Sequence, residues 1–197
     1  MRERYLVLPS KKPYNWGKDH RRSGLHLDGQ YGQAKFVEGM LEGTPLNGFF
    51  IEAGAYDGVK FSNSLLFEMR HNWSGLLVEP NPDAFQNLTE KRRKAWTLPH
   101  CFSTKTTPEA VEFDAAGLLG GIINTEKSEG IASPGDIGKG KKSDPRRRRV
   151  RIQCFPVYTV LLALGNPTVH YFSLDIEGAE LQVHAKLPLP ISRSTQR

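Results

Sequence analysis

The sequence predicts an α/β fold in which helices cover both faces of an open, mostly parallel sheet. Three apolar runs, residues 48–53, 75–78 and 168–174, have the length and composition of buried strands. Each run is followed by a segment that can start a helix, which is the alternation typical of parallel sheets. The first and last runs also end in acidic residues and a glycine. Because ligands bind at the carboxyl edge of such sheets, we expect a site there.

The first third of the chain contains an arm, a helix and the first strand. Residues 1–28 are rich in charges and in proline and glycine, so we predict an irregular arm. Apolar residues recur at helical spacing over 33–41, and glycine and proline end that helix. The first strand begins near Gly48, and its glycine turn leads to a predicted helix over 63–69.

A second strand, helix and third strand are predicted next. Asn81 can cap a helix over 83–94, and Pro82 suits its first position. We interpret the basic run 91–94 as an exposed helix end whose charges complement the helix dipole, in preference to a nucleic-acid contact. The third strand is predicted over 95–98, and we expect it to extend to Cys101 and Ser103.

The remaining elements surround a long polar segment. Residues 111–114 and 150–154 are predicted to pair as strands. Between them, residues 116–149 are rich in glycine, serine and lysine, which predicts a disordered basic loop. Short helices are predicted over 160–164 and 179–185, on either side of the strand at 168–174.

The composition limits the classes of function. The chain has 197 residues, 38% of them hydrophobic and 24% charged, which is typical of one globular domain. No run approaches the roughly 18 apolar residues of a membrane span, and no signal-like leader is recognisable. The net charge of +6 is concentrated in residues 139–151. Such a cluster can bind nucleic acid, acidic lipid or an import receptor, but without interleaved aromatic residues we interpret it as a solvated loop.

The two cysteines, Cys101 and Cys154, leave two alternatives open. Buried free thiols are the default, and a disulfide is the alternative if the domain faces an oxidising compartment. The six histidines are scattered, so no zinc site is predicted. Asn72 and Asn87 begin glycosylation patterns that would suit a lumen, although such short patterns are common by chance.

Acidic residues gather at the predicted strand ends. Glu52 and Asp57 flank the first turn, Glu79 ends the second strand, and Asp175 and Glu177 follow the last strand. A cationic or hydroxyl-rich ligand fits such an edge, whereas a pyrophosphate would be repelled. The first turn also lacks the glycine spacing of dinucleotide sites, which disfavours an oxidoreductase. An acid at the tip of the second strand can accept hydrogen bonds from ribose hydroxyls, so a nucleoside-containing ligand is predicted.

Three segments, residues 50–58, 77–82 and 173–180, resemble the successive motifs of FkbM-type S-adenosylmethionine-dependent methyltransferases. The resemblance covers about residues 30–187 and implies a Rossmann-like methyltransferase sheet with S-adenosylmethionine as cofactor. The Gly32-Gln33 pair and residues 154–156 are similar to the animal Star-like branch. That branch implies a trafficking factor of the endoplasmic reticulum, Golgi and endosomes, with a membrane anchor and a lumenal domain.

The resemblance also implies roles for individual residues. Six residues would bind the cofactor: Glu52, Gly54, Ala55, Asp57, Glu79 and Ser103. Glu52, Gly54 and Ala55 would line its methionine end, and Glu79 would hold the ribose. Asp57 would bind the methionine portion or shape the turn, and Ser103 would lie near the adenine.

Two further acids, Asp175 and Glu177, would act at the reacting atoms. Either would be a general base for a hydroxyl acceptor, carried by a small molecule or a protein. For each acid of the site, Asp57 and Glu79 included, the alternative is a helix cap or a first-turn charge that the helix dipole favours.

The resemblance divides the chain into the arm, a methyltransferase-like domain over 29–190 and a tail over 191–197. It implies further strands beyond the last predicted helix, so we expect a truncated sheet that lacks its C-terminal strands. Two functions follow as hypotheses. One is O-methyl transfer, and the other is an inactive Star-like factor that binds protein cargo.

Overall fold

The computed structural model of the protein describes residues 1–18, 24–41, 47–115, 120–123 and 148–187. In this part of the chain, the strands are β1 (Phe49–Ala53), β2 (Ser74–Val78), β3 (Trp96–Leu98), β4 (Cys101–Phe102), β5 (Glu109–Asp114), β6 (Gly121–Ile122), β7 (Arg149–Phe155) and β8 (Tyr171–Leu174). The helices are α1 (Arg2–Tyr5), α2 (Gln33–Met40), α3 (Leu65–His71), α4 (Pro82–Lys91), α5 (Val157–Ala163) and α6 (Glu180–His184). None of the helices within the described ranges is long and apolar enough to cross a membrane.

The first sheet is parallel throughout and has the strand order β3-β2-β1-β8. In its register, Ala53 lies opposite both Val78 and Leu174, so the strands that precede the predicted acids end at one edge. Alternate residues of β1 point to opposite faces, as strand geometry requires. Phe50 packs on one face among residues of α2, α3 and α4, and Ile51 packs on the other among residues of α5 and α6. The predicted α/β fold with helices on both faces is confirmed.

The second sheet has the order β4-β7-β5-β6. The predicted pairing of residues 111–114 with 150–154 is confirmed, because β5 and β7 are antiparallel with Val111 opposite Ile152. The prediction that the third strand continues to Cys101 and Ser103 is wrong. The first sheet ends at Leu98, because Pro99 lacks the N–H that would continue the ladder. Cys101 then joins the second sheet.

A disulfide links the two cysteines across the second sheet. Cys101 and Cys154 lie opposite each other in the parallel β4–β7 register, with their Cα atoms 4.4 Å apart. The default of free thiols is therefore wrong, and the disulfide alternative is the one the structure contains. The physical reason is the pairing of two strands that are 53 residues apart in the chain.

The N-terminal arm packs against the first sheet. Its first residues form α1, and Leu6 is buried in the core. Val7 pairs with Thr97 through two hydrogen bonds of 2.9 and 3.1 Å between backbone N–H and carbonyl groups. The arm is thus irregular only in part, and it covers the outer edge of β3, where unpaired backbone groups would otherwise be exposed.

The predicted loop over 116–149 contains described residues at only a few positions. Gly121 and Ile122 form β6 against the end of β5, and Arg149 begins β7. The rest of that segment, including residues 139–147 of the basic cluster, lies outside the described residues, as does the chain from 188 onward.

Candidate functional site

A pocket of about 210 Å³ opens at the carboxyl edge of the first sheet. The ends of β1, β2 and β8 form one wall, and strands β4, β5 and β6 of the second sheet contribute to the other. The lining residues are Gln30, Gly54, Tyr56, Lys60, Phe61, Asn63, Val78, Glu79, Pro80, Cys101, Phe102, Phe113, Gly120, Ile122, Asp175, Ile176 and Glu177.

The turn after β1 brings two strand ends into close approach. Gly54 has a φ of 82°, and a Cβ placed there would lie 1.9 Å from the backbone oxygen of Asp175. Gly54 and Ala55 both donate their backbone N–H groups to the carbonyl of Val78, at 3.0 and 3.1 Å. Only glycine fits this position, because any side chain would push the first and last strands apart.

Replacing Gly54 with alanine is expected to lower the free energy of unfolding by about 3 kcal/mol, since left-handed strain and overpacking add. Gly165→Ala is the matched control. Gly165 has a similar φ of 87°, but a Cβ there meets nothing within 4 Å. Urea denaturation of both variants measures the difference. Equal losses at the two positions would show that the contact with Asp175 is unimportant.

Glu79 lies on the pocket wall at the end of β2. It is only 6% exposed, and its two carboxylate oxygens accept hydrogen bonds from the backbone N–H groups of Tyr56, at 2.7 Å, and Asn81, at 2.8 Å. Burial raises the pKa of Glu79 to about 7, against the opposing effect of those two hydrogen bonds. This carboxyl group therefore changes its protonation state near neutral pH.

Asp175 and Glu177 line the pocket directly after β8. Both residues are exposed, yet partial desolvation at the pocket raises the pKa of each, and the negative charge of Glu180 raises both further. The helix-capping alternative does not describe them. Glu180 accepts the backbone N–H groups of Ile176 and Gly178, and so holds the turn before α6. Asp175 and Glu177 are thus left facing the pocket as two carboxyl groups that bind protons more tightly than usual.

Other predicted residues lie behind the pocket wall. Glu52 is 2% exposed and accepts hydrogen bonds from the Ser62 hydroxyl, the Asn63 N–H and the Ser64 hydroxyl. Its carboxylate therefore holds the segment before α3, and the pocket lining does not include it.

Asp57, Ala55 and Ser103 are likewise not among the lining residues. Asp57 accepts the backbone N–H groups of Val59 and Lys60 at 2.9 and 2.7 Å, so it shapes the turn. Ala55 is buried in the core between β1 and its helices. The Ser103 hydroxyl lies within hydrogen-bonding distance of two acceptors, the Thr107 carbonyl in the same loop and the Glu109 carboxylate at the start of β5.

A buried arginine, Arg93, stabilises the turn after β1 and the segment before α3. The basic run 91–94 was predicted to be exposed, and for Arg93 this is wrong, because the residue is only 2% exposed. Its Nε lies 2.9 Å from Glu68 in an ion pair, and it also donates to the carbonyl of Gly58. Further bonds reach the hydroxyls of Ser62 and Ser64, at 3.3 and 3.2 Å. The buried charge of the Arg93 guanidinium is tolerated because its partners are the Glu68 carboxylate and polar oxygens.

The sequence interpretation missed several lining residues. Phe102, Phe113 and Ile122 belong to the second sheet, and no local pattern associates them with the strand ends. Asn63 also lines the pocket, and it was assigned only to the start of a helix. Its signal was available, because an uncharged polar triplet, residues 62–64, follows the glycine turn after only three residues.

Comparison with known proteins identifies the family. The family model of the methyltransferase FkbM domain matches residues 52–185, which include the turn after β1, Glu79 and the two pocket acids that follow β8. No match was found among the curated proteins or the solved structures. The family resemblance noted from the three motifs is confirmed: the chain belongs to the methyltransferase FkbM domain family.

Proposed function

We propose that this chain binds S-adenosylmethionine in the pocket and transfers its methyl group to a hydroxyl oxygen. The observation that carries the proposal is the buried carboxyl group of Glu79 on the pocket wall, one strand away from Gly54. Membership of the FkbM family supports a methyltransferase-like function, which in this family depends generally on S-adenosylmethionine.

The pocket residues fit this cofactor. Gly54 lines the pocket through its backbone alone, because the backbone oxygen of Asp175 occupies the space that a Cβ would need. Glu79 would accept hydrogen bonds from the ribose hydroxyls, as an acid at the second strand tip can. Apolar groups of Val78, Phe102 and Ile122 offer contacts for an aromatic base. Carboxyl groups outnumber cations in the lining, which favours a positively charged ligand.

The predicted residues behind the wall would act indirectly. Glu52 and Asp57 would keep the turn in the shape that binds the methionine end, through their bonds to residues 59–64. Ala55 would do so through packing. For Ser103, a contact near the adenine remains part of the proposal, with its hydroxyl directed to Thr107 and Glu109.

The bound cofactor supplies an electrophilic methyl group. The task of the chain is then to align an acceptor hydroxyl and to remove its proton. Asp175 or Glu177 would remove that proton, and the raised pKa of each carboxyl group supports this role because it makes the carboxylate a better proton acceptor. The acceptor would be a hydroxyl of a small molecule or of a protein.

Isothermal titration of the protein with S-adenosylhomocysteine, the demethylated form of the cofactor, tests the binding step. We expect saturable binding at one site per chain. Absence of heat and of any thermal stabilisation, with a folded protein and millimolar ligand, would contradict the proposal.

The affinity for S-adenosylhomocysteine is expected to rise about tenfold from pH 6 to pH 8, because ionised Glu79 accepts hydroxyl bonds more strongly than the acid does. The direction follows from the raised pKa of about 7, because the Glu79 carboxyl group is then protonated in most molecules of the free protein at pH 6. Calorimetric titration with S-adenosylhomocysteine at several pH values measures this dependence of the affinity, and a Glu79→Gln variant should abolish it.

The same raised pKa of Glu79 lowers folding stability as pH rises from 4.5 through about 7, since burial penalises the ionised form.

A second candidate function is a non-catalytic, Star-like role in binding cargo within the secretory pathway. The Cys101–Cys154 disulfide favours it, because such bonds persist in oxidising compartments. Asn72 and Asn87, which begin the glycosylation patterns, are both exposed. A lumenal location predicts that glycosidase treatment of protein from its native cells increases its gel mobility. Methyl transfer that depends on Glu79 and Asp175 would contradict a purely non-catalytic role.

A further inference from the structure

Asn63 carries a buried polar atom that the protein does not use. Asn63 is 7% exposed and is one of the residues that line the pocket. Its side-chain oxygen, Oδ1, has no hydrogen-bond partner in the described part of the chain. Buried acceptors are nearly always hydrogen-bonded, because leaving one desolvated and unpaired is costly. A donor from a ligand in the pocket would remove this cost.

The other polar groups of Asn63 fix its orientation. Its backbone N–H donates to Glu52 at 2.7 Å, and its side-chain Nδ2 donates to the hydroxyl of Ser173 at 3.0 Å. The Asn63 amide is thus held with its nitrogen toward β8, which leaves the oxygen as the group available to a ligand.

The charges of the pocket indicate which kind of donor fits. Three lining residues, Glu79, Asp175 and Glu177, are acidic, and the lining contains the single cation Lys60 within the described ranges. A cationic donor is favoured there over a neutral one. S-adenosylmethionine contains one such donor, the ammonium group of its methionine portion, which is proposed to lie near the turn that begins at Gly54.

We propose that Oδ1 of Asn63 accepts a hydrogen bond from the ammonium group of the methionine portion of the cofactor. This inference rests on the proposed function, since it assigns a further cofactor-binding residue to the same pocket. It predicts that Asn63 recognises the amino-acid end of the ligand and contributes nothing to recognition of the nucleoside end.

Two probes separate these ends in a calorimetric titration. S-adenosylhomocysteine carries the amino-acid portion, and 5′-methylthioadenosine has the same nucleoside and thioether without it. Asn63→Leu removes the amide while keeping the branched shape of the side chain. We expect this variant to bind S-adenosylhomocysteine about tenfold or more weakly, the effect of losing a hydrogen bond to a charged group. Its affinity for 5′-methylthioadenosine should stay within about twofold of the wild type, because that probe offers no ammonium group to Asn63.

A second variant tests the same oxygen without changing Asn63. A Cβ at Gly29 would lie 2.6 Å from Oδ1, so Gly29→Ala should displace the amide and reproduce the selective loss. Gly32→Ala is the matched control. Its φ of 83° is close to the 79° of Gly29, but a Cβ there meets nothing within 4 Å. The control should bind both probes as the wild type does.

The outcomes distinguish this inference from the proposed function. Equal weakening of both probes would mean that Asn63 bonds a ribose hydroxyl or only supports the fold, and would overturn the inference alone. Unchanged affinities in folded Asn63→Leu would also overturn it alone. If Asn63→Leu does not fold, Gly29→Ala decides by the same criteria. Failure of the wild type to bind either probe would overturn both proposals.

Discussion

Replacing Arg93 with methionine is expected to lower the free energy of unfolding by about 3–5 kcal/mol, the usual cost of removing one partner of a buried ion pair. Methionine fills most of the volume but leaves the carboxylate of Glu68 buried without its charge partner. The Gly58 carbonyl and the serine hydroxyls before α3 lose a donor as well. Urea denaturation followed by circular dichroism, with the disulfide intact, measures the change.

Arg92→Met is the matched control for this experiment. Arg92 is the exposed neighbour at the end of α4, so its replacement should change stability by no more than about 0.5 kcal/mol. Adding Glu68→Gln to Arg93→Met should restore part of the loss, because the unpaired charge is then removed. A loss below about 1 kcal/mol for Arg93→Met would contradict the role assigned to the ion pair.

Replacing Glu79 with glutamine is expected to weaken binding of S-adenosylhomocysteine about 100-fold, because two charge-assisted hydrogen bonds to ribose hydroxyls become weaker or are lost. Stability should change little. The substitution removes a carboxyl group whose ionised form is penalised by burial, which favours folding. It also replaces one of the two oxygens that accept the N–H groups of Tyr56 and Asn81, which opposes folding, so the two effects offset each other.

Calorimetry at pH 8, where the wild-type carboxyl group is mostly ionised, measures the loss. Glu90→Gln makes the same chemical change on the exposed side of α4 and should leave the affinity unaltered. An affinity of Glu79→Gln within about twofold of the wild type would place the ribose elsewhere, because the bonds assigned to Glu79 would then contribute almost nothing.

The sequence alone determined the parallel sheet, both helical layers and the three pocket acids Glu79, Asp175 and Glu177. These follow from local pattern, since an apolar run and the acid that ends it are adjacent in the chain. The same reasoning placed Glu52 and Asp57 in the site. Both lie behind the wall, because nearby hydroxyl and N–H groups satisfy their carboxylates, and a strand pattern does not reveal such partners.

Only the tertiary structure decided the second wall of the pocket, the disulfide and the burial of Arg93. Phe113 and Ile122 reach the site through a separate sheet, and Cys101 meets Cys154 across strands that are distant in the chain. Arg93 appears as one more charge in a basic run until Glu68 is placed beside it. The physical reason is common to all three. Burial and pairing depend on contacts between distant segments, and the free energy of a charge or thiol is set by the partner it meets there.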